Sequence, residues 1–287
     1  MQRHKLNIKK LGKKRSYRVY LPGEREPSSP LPMIIVLHGA FSTARGIMKV
    51  SGFNRLAERE KLVVAYPEGA YGLFGLFQHW NAGHCCGRAQ KDGNDDVGFL
   101  VQVIDDLQSR YRIDGRRIFM AGFSNGAMMT YRFCAEHPER IAAAAVLAGS
   151  SGGRASAASP YWRIPQPGKP LPLIVLHGRQ DESVPYAGGR DLRHGGDREY
   201  DSVAASVAFW VRNNRCGPEP RTNFLLERRI ERKTWSDENQ RPLVVLYSID
   251  DWGHYWPGAD YGSKHTLPGF NATEVIWEYF KQISEAR

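Results

Sequence analysis

The chain has 287 residues, 41% of them hydrophobic and 24% charged, with a formal net charge of +10. That balance excludes an intrinsically disordered chain and allows a sizeable core, while the longest nearly apolar run, "IAAAAVLAG", is too short to span a membrane. The charge is not a nucleic-acid footprint either: eight Lys and Arg and no acid fall in the first 18 residues, and the other 32 basic residues nearly balance 30 acidic ones.

The basic start, "MQRHKLNIKKLGKKRSYRVYLP", alternates polar and apolar residues around "LGKK". It reads as a two-stranded hairpin with a solvated outer face. It has no apolar stretch after its charges, so it is not a signal peptide as it stands. "PMIIVLHG" (32–39) is a short, continuously apolar strand, and "SGFNRLAEREK" is helical with Ser51 or Asn54 near its start. "LVVAYPEG" is the next strand, ended by Pro67, and "DVGFLVQVIDDLQSRY" has helical periodicity with Asp96 as its expected N-cap. The strand "RIFMAGF" leads into the helical "NGAMMTYRFCAEHPER", followed by the strand "IAAAAVLAG" and a Ser/Ala/Gly/Pro-rich loop over 150–169. The rest reads as the strand "LPLIVLHG" (171–178), the helix "DSVAASVAFWVRNN", the strand "RPLVVLYSI" and a closing helix capped by Asn271. Uninterrupted apolar strands alternating with helices predict an α/β fold, with a mostly parallel central sheet, helices on both faces and an N-terminal antiparallel hairpin at one edge. No repeat and no dividing linker is visible, so residues 1–287 are expected to form one domain.

"AGFSNGAMM" places Gly122 and Gly126 two residues on either side of Ser124, between a strand and a helix. G-x-S-x-G in that context is a nucleophile elbow: small residues let the chain turn sharply, and the serine is held at a helix N-terminus. A serine hydroxyl needs a base, usually a histidine oriented by a carboxylate, and in a parallel sheet such groups gather at the carboxyl ends of strands. Asp181 follows "LPLIVLHG", with Glu182 as the adjacent competitor and Asp191 further off. His254 follows "RPLVVLYSI", whereas His194 and His265 follow no strand. The order Ser124, Asp181, His254 is that of a hydrolase triad. The oxyanion needs two backbone N–H donors: one is expected from Asn125, the other from Ala40 in "VLHGAFST", with Phe41 second. His38, just before Gly39, reads as a structural hydrogen-bonding residue.

At these residues the chain resembles a known group. "LHG", "WNAGHCCG", "NDDVGFL", "GFSNGAMMTYRFCAEHPERIAA", "HGRQDESVPYAGG" and "GHYWPG", between Leu31 and Phe280, resemble the polyhydroxybutyrate depolymerases and the feruloyl and acetylxylan esterases, carbohydrate esterase family one of the α/β-hydrolase superfamily. The resemblance implies an α/β-hydrolase fold, no cofactor and no metal, with Ser124 as nucleophile, Asp181 as acid and His254 as base. It implies a serine esterase acting on feruloyl or acetyl esters of plant polysaccharide or related short or aryl esters. The alternatives are a polyhydroxyalkanoate depolymerase or oligomer hydrolase, and a catalytically silent polymer-binding relative. The expected partner is an ester substrate, polymeric or small, with no nucleic acid and no membrane span. The expected compartment is extracellular or periplasmic, a leader having been removed, with the cytoplasm as the alternative.

Departures from the group's pattern matter. Tyr255 stands where a smaller residue is common, and no cysteine near position 236 partners Cys216. Cys134 is expected to bridge to Cys85 or Cys86. "HWNAGHCC" gathers His79, His84, Cys85 and Cys86, but adjacent cysteines rarely ligate one metal ion, and "DGNDD" lacks the glutamate that would close a calcium loop. The aromatic residues of "YGLFGLFQHWNAG" are either core or the wall of a cleft, and Trp80 fits both readings. Trp80, Phe41, Tyr255 and Trp256 are the expected substrate-contact residues.

Overall fold

A computed structural model describes residues 2–8, 13–23, 29–70, 77–191, 193, 196–259 and 266–286. The turn of the basic hairpin, residues 71–76 of the aromatic loop, His194 and His265 lie outside the described residues. Among these residues, strands β1 (Gln2–Ile8), β2 (Lys13–Tyr20), β3 (Leu31–Leu37), β4 (Val63–Pro67), β5 (Ile113–Phe123) and β6 (Ala143–Leu147) come first. They are followed by β7 (Gly152–Arg154), β8 (Trp162–Arg163), β9 (Leu173–Gly178), β10 (Gly189–Arg190) and β11 (Glu199–Tyr200), and the chain closes with β12 (Arg221–Leu225), β13 (Ile230–Ser236) and β14 (Pro242–Ile249). The helices are α1 (Ala44–Ser51), α2 (Phe53–Glu60), α3 (Gly87–Lys91), α4 (Asp96–Arg110), α5 (Asn125–Glu136), α6 (Val203–Asn213) and α7 (Ala272–Glu285).

Ten strands form one sheet in the order β1-β2-β4-β3-β5-β6-β9-β14-β13-β12. The six central strands, β4 to β14, pair in parallel, and antiparallel pairs close both edges. The expected hairpin is β1–β2, with Gln2 opposite Val19 and Ile8 opposite Lys13. The β12–β13 hairpin has no apolar run to announce it: β12 is exposed throughout, so the strand signal of burial is missing. A small second sheet, β10-β11-β7-β8, occupies part of what the sequence shows only as loop.

Alternation along each strand divides the core. Met33, Ile35 and Leu37 of β3 face a cluster with Phe99, Val103 and Tyr131 from α4 and α5 and Trp210 from α6. Ile34 and Val36 face the opposite cluster, with Phe53 and Leu56 of α2 and Ile276 and Phe280 of α7. The helices therefore cover both faces, as continuously apolar strands require.

Two caps differ from expectation. The α4 cap is Asp95, whose carboxylate accepts from Gly98 N–H at 2.8 Å, while Asp96 is the first helical residue. Asp96 is buried and paired with Arg15 at 2.7 Å, so one charge of the basic start points inward. The helix expected to begin near Ser51 or Asn54 is α2, entered at Phe53 through Gly52 in the left-handed conformation, and Ser51 instead ends a preceding helix, α1, capped by Thr43. Asn271 caps α7 by accepting from the Thr273 and Glu274 N–H groups.

Candidate active site

Ser124 sits where β5 meets α5, with φ 56° and ψ −122°. A non-glycine residue in such a region costs on the order of 1–3 kcal/mol and persists only where its surroundings impose it. Here they do. A Cβ on Gly122 would collide with the carbonyl of Gly126 and with Thr130 Oγ1, and one on Gly126 would collide with the carbonyls of Leu37 and His38. The two glycines let α5 cross the ends of β5 and β3 in contact.

The serine meets residues from two further strand ends. Ser124 Oγ is 2.8 Å from His254 Nε2, and His254 Nδ1 is 2.7 Å from Asp181 Oδ2. A carboxylate only accepts, so Nδ1 carries the proton and Nε2 is left to accept from the serine hydroxyl. Asp181 follows β9 and His254 follows β14, its parallel neighbour. The two loops are laced together: Gln180 N–H donates to the Trp252 carbonyl at 3.0 Å, and a Cβ on Gly178 would strike that carbonyl.

Asp181 is buried, and its other oxygen, Oδ1, accepts from the N–H groups of Ser183 at 2.9 Å and Val184 at 2.8 Å. Burial by itself would raise the carboxyl's pKa. Hydrogen bonds with His177 and His254 outweigh it and hold the group well below the usual carboxylate range. Glu182, the competing acid, has no place in this chain of contacts, because it is Asp181 that touches His254.

The loop after β3 closes against the serine. A Cβ on Gly39 would lie 3.2 Å from Ser124 Cβ. Among the described residues no protein group accepts from the N–H of Ala40 or of Asn125, the first residue of α5. The N–H of Phe41 donates to the Gln78 carbonyl at 3.0 Å and is spent there. His38 is fully buried, with Nδ1 2.8 Å from the Gly39 carbonyl and Nε2 accepting from Gly69 N–H at 2.9 Å. Burial lowers its pKa to about 4, so it is a neutral structural residue.

The aromatic residues divide. Trp80 is 0% exposed: its Nε1–H donates to the His38 carbonyl at 2.9 Å and its ring stacks on Phe99, so it is core and not a cleft wall. Trp256 is 1% exposed, with its Nε1–H on Thr273 Oγ1 at 3.1 Å, and is likewise core. Tyr255 is half-buried, edge-on to Trp252, and Phe41 is exposed.

The expected bridge from Cys134 is absent. Cys85 and Cys86 are bonded to each other, and Cys134 is a buried free thiol. The cause is the helix face. Cys85 and Cys86 pack with Met128, whereas Cys134 is six residues further along α5, about 240° round the helix, and faces the other cluster.

Three contributors escaped the sequence. Phe123, the variable residue before the serine, lies 5.0 Å from the His254 ring. His177, the residue before Gly178, is 3.3 Å from Asp181 Oδ2 through Nε2; its only signal is that "LHG" closes β9 and recurs across the end of β3. The Asn125 side chain reaches Trp80, a contact that no local pattern announces.

A family model described as "Esterase PHB depolymerase" matches residues 15–208. The Nocardia uniformis subsp. tsuyamanensis protein named "Putative esterase NocK" is 31% identical over 271 residues, covering 90% of this chain and 75% of that protein. Feruloyl esterase B of Piromyces equi is 30% identical over 200 residues, 67% of this chain but only 34% of the relative's length. The solved acetyl xylan esterase of Aspergillus awamori superposes with a TM-score of 0.66 at 17% identity, over 98% of this chain and 100% of that one. This likeness is one of fold, and the fold is the α/β-hydrolase fold.

Proposed function

The chain belongs to the esterase PHB depolymerase family, and on that premise we propose that it hydrolyses carboxylic esters through an acyl-enzyme formed on Ser124. The observation that carries this reading is the run of contacts from Ser124 Oγ to His254 Nε2 at 2.8 Å and from His254 Nδ1 to Asp181 at 2.7 Å. His254 takes the hydroxyl proton as Oγ attacks the ester carbonyl. The resulting oxyanion is held by the N–H groups of Ala40 and Asn125. The alcohol leaves with the proton from His254, and water then attacks the acyl-enzyme with His254 again as base. Asp181, held ionised, orients His254 and stabilises its charged form.

The substrate class we favour is feruloyl or acetyl esters of plant polysaccharide, or related short or aryl esters. The position of Tyr255, half-buried and directly after the base, is what favours it: we expect its ring to narrow the acyl side. Polyhydroxyalkanoate oligomers are the second reading, favoured by the family's description. The test is p-nitrophenyl acetate hydrolysis with and without a serine-directed phosphonate, followed by methyl ferulate, acetylated xylan and hydroxybutyrate oligomers. Turnover abolished by the phosphonate, with the label on Ser124, is expected. A folded protein that neither turns over nor labels would be a silent relative, and this reading would be lost.

A further inference from the structure

We propose that Phe41 and Phe77 form a two-ring ledge at the mouth of the Ser124 site, and that this ledge selects esters by an apolar ring carried on the substrate. The proposal rests on the reading of Ser124 as nucleophile. It begins from exposure. Phe41 is 64% and Phe77 54% exposed, in a chain whose other described phenylalanines, apart from Phe224, are buried or half-buried. A single exposed apolar residue needs no explanation. These two are neighbours, edge to face with centroids 5.9 Å apart, and Phe41 is also edge-on to His79 at 4.7 Å.

The backbone displays them at a cost. Phe41 has φ 61° and Phe77 has φ 57°. A bulky side chain in the left-handed region is an outlier, and such outliers cluster at functional sites. The backbone beside both residues is paired. The Phe41 N–H bonds to the Gln78 carbonyl, Ser42 and Gln78 form an antiparallel bridge, and Ala70 and His79 form another. Phe41 is thus tied to the residue after Phe77, and each aromatic residue stands where a glycine would sit without strain.

The ledge is next to the chemistry. Gly39 abuts Ser124, and Phe41 is two residues on, no more than about 7 Å of chain away. Ala40, the proposed oxyanion donor, lies between them. Burial, aided by Arg198, lowers the pKa of His79, so the ring beneath Phe41 is uncharged at neutral pH. The exposed surface is therefore apolar and aromatic, and a third ring meeting the pair at its edge or face is the group it fits best. Phe224, by contrast, lies on the β12 edge strand under the Arg228 guanidinium, 3.9 Å away.

The experiment compares three esters: ethyl acetate with no ring, methyl 3-phenylpropionate with a ring on the acyl side, and benzyl acetate with a ring on the alcohol side. Phe77→Ala should lower kcat/KM for one of the ring esters about fivefold to tenfold relative to ethyl acetate, through KM. Phe77→Trp should restore it, and Phe224→Ala should leave all three ratios unchanged. Which ring ester responds identifies the side that the ledge reads. Phe77→Gly should lose the same discrimination while its melting temperature does not fall, because glycine adopts the left-handed backbone freely. An equal loss on all three esters, or no change in the ratios, would overturn the ledge and leave the Ser124 reading standing. A wild type that cleaves none of them and takes no phosphonate label would overturn both.

Discussion

Asn125 holds Trp80 by both of its backbone groups: its Oδ1 accepts from the Trp80 N–H at 2.7 Å, and its Nδ2 donates to the Trp80 carbonyl at 3.0 Å. All four atoms are buried. One residue thus presents a main-chain N–H beside Ser124 and pins the segment at Trp80 across it. Asn125→Ala leaves the main-chain N–H in place but leaves the buried Trp80 N–H without its partner, at about 1–3 kcal/mol, while the Trp80 carbonyl keeps the Ala82 and Cys86 N–H groups. We expect a urea midpoint lowered by a loss of that size and a reduced kcat. An unchanged midpoint would mean that water or a shifted loop satisfies Trp80.

Ser124→Ala and His254→Ala should each lower kcat by on the order of 10^4 or more, and the double variant should be hardly worse than either, because the members act as a unit. Asp181→Asn should lose a comparable factor, since an amide at Oδ2 no longer fixes the proton on Nδ1 of His254. Esterase assays on purified variants check this. A damaging Glu182→Gln with a near-silent Asp181→Asn would refute the assignment of the acid.

Glycines at the site should separate stability from activity. Gly126→Ala drives a methyl into the Leu37 and His38 carbonyls, which are backbone and cannot move aside, so little folded protein is expected. Gly39→Ala places its methyl 3.2 Å from Ser124 Cβ, a contact that a small shift relieves. It should fold, with circular dichroism and melting close to wild type, and lose activity because the shift displaces the serine or Ala40. Full activity in Gly39→Ala would show that the loop does not set the serine's position.

Acid should weaken the fold through two histidines outside the triad. Burial lowers the pKa of both His38 and His84 to about 4, against an ordinary value near 6.5. Below that value the unfolded chain takes up protons that the folded chain refuses, so stability is complete above about pH 6.5 and declines as pH falls towards 4, by about 3 kcal/mol for each histidine over that window. His84 is buried between Trp162 and Tyr200. His84→Phe keeps a ring there and removes the titration, so the urea midpoint should decline less between pH 7 and 4.5 than in the wild type. An identical pH profile in the variant would exclude His84 as a source.

Much of the site was legible because it is built on strand ends. Apolar runs in "RIFMAGF", "LPLIVLHG" and "RPLVVLYSI" force buried strands, parallel pairing brings their carboxyl ends to one edge, and Ser124, Asp181 and His254 lie within the first five residues beyond those ends. The G-x-S-x-G spacing was legible for a local reason, since both glycines answer to backbone crossings within a few residues of the serine. What only the tertiary structure decided depends on direction and not on pattern. Trp80 and Trp256 have the composition of a cleft wall, but indole N–H groups satisfied by His38 and Thr273 turn them into the core. Asp95 and Asp96 are adjacent acids, and only the burial of Arg15 determines which one caps and which one pairs. Cys134 lies on the helix that Cys85 and Cys86 touch, yet faces away from them, because six residues of helix rotate a side chain by about 240°. Sequence specifies which residues reach an edge of a sheet; packing across many residues of separation selects which way their side chains turn.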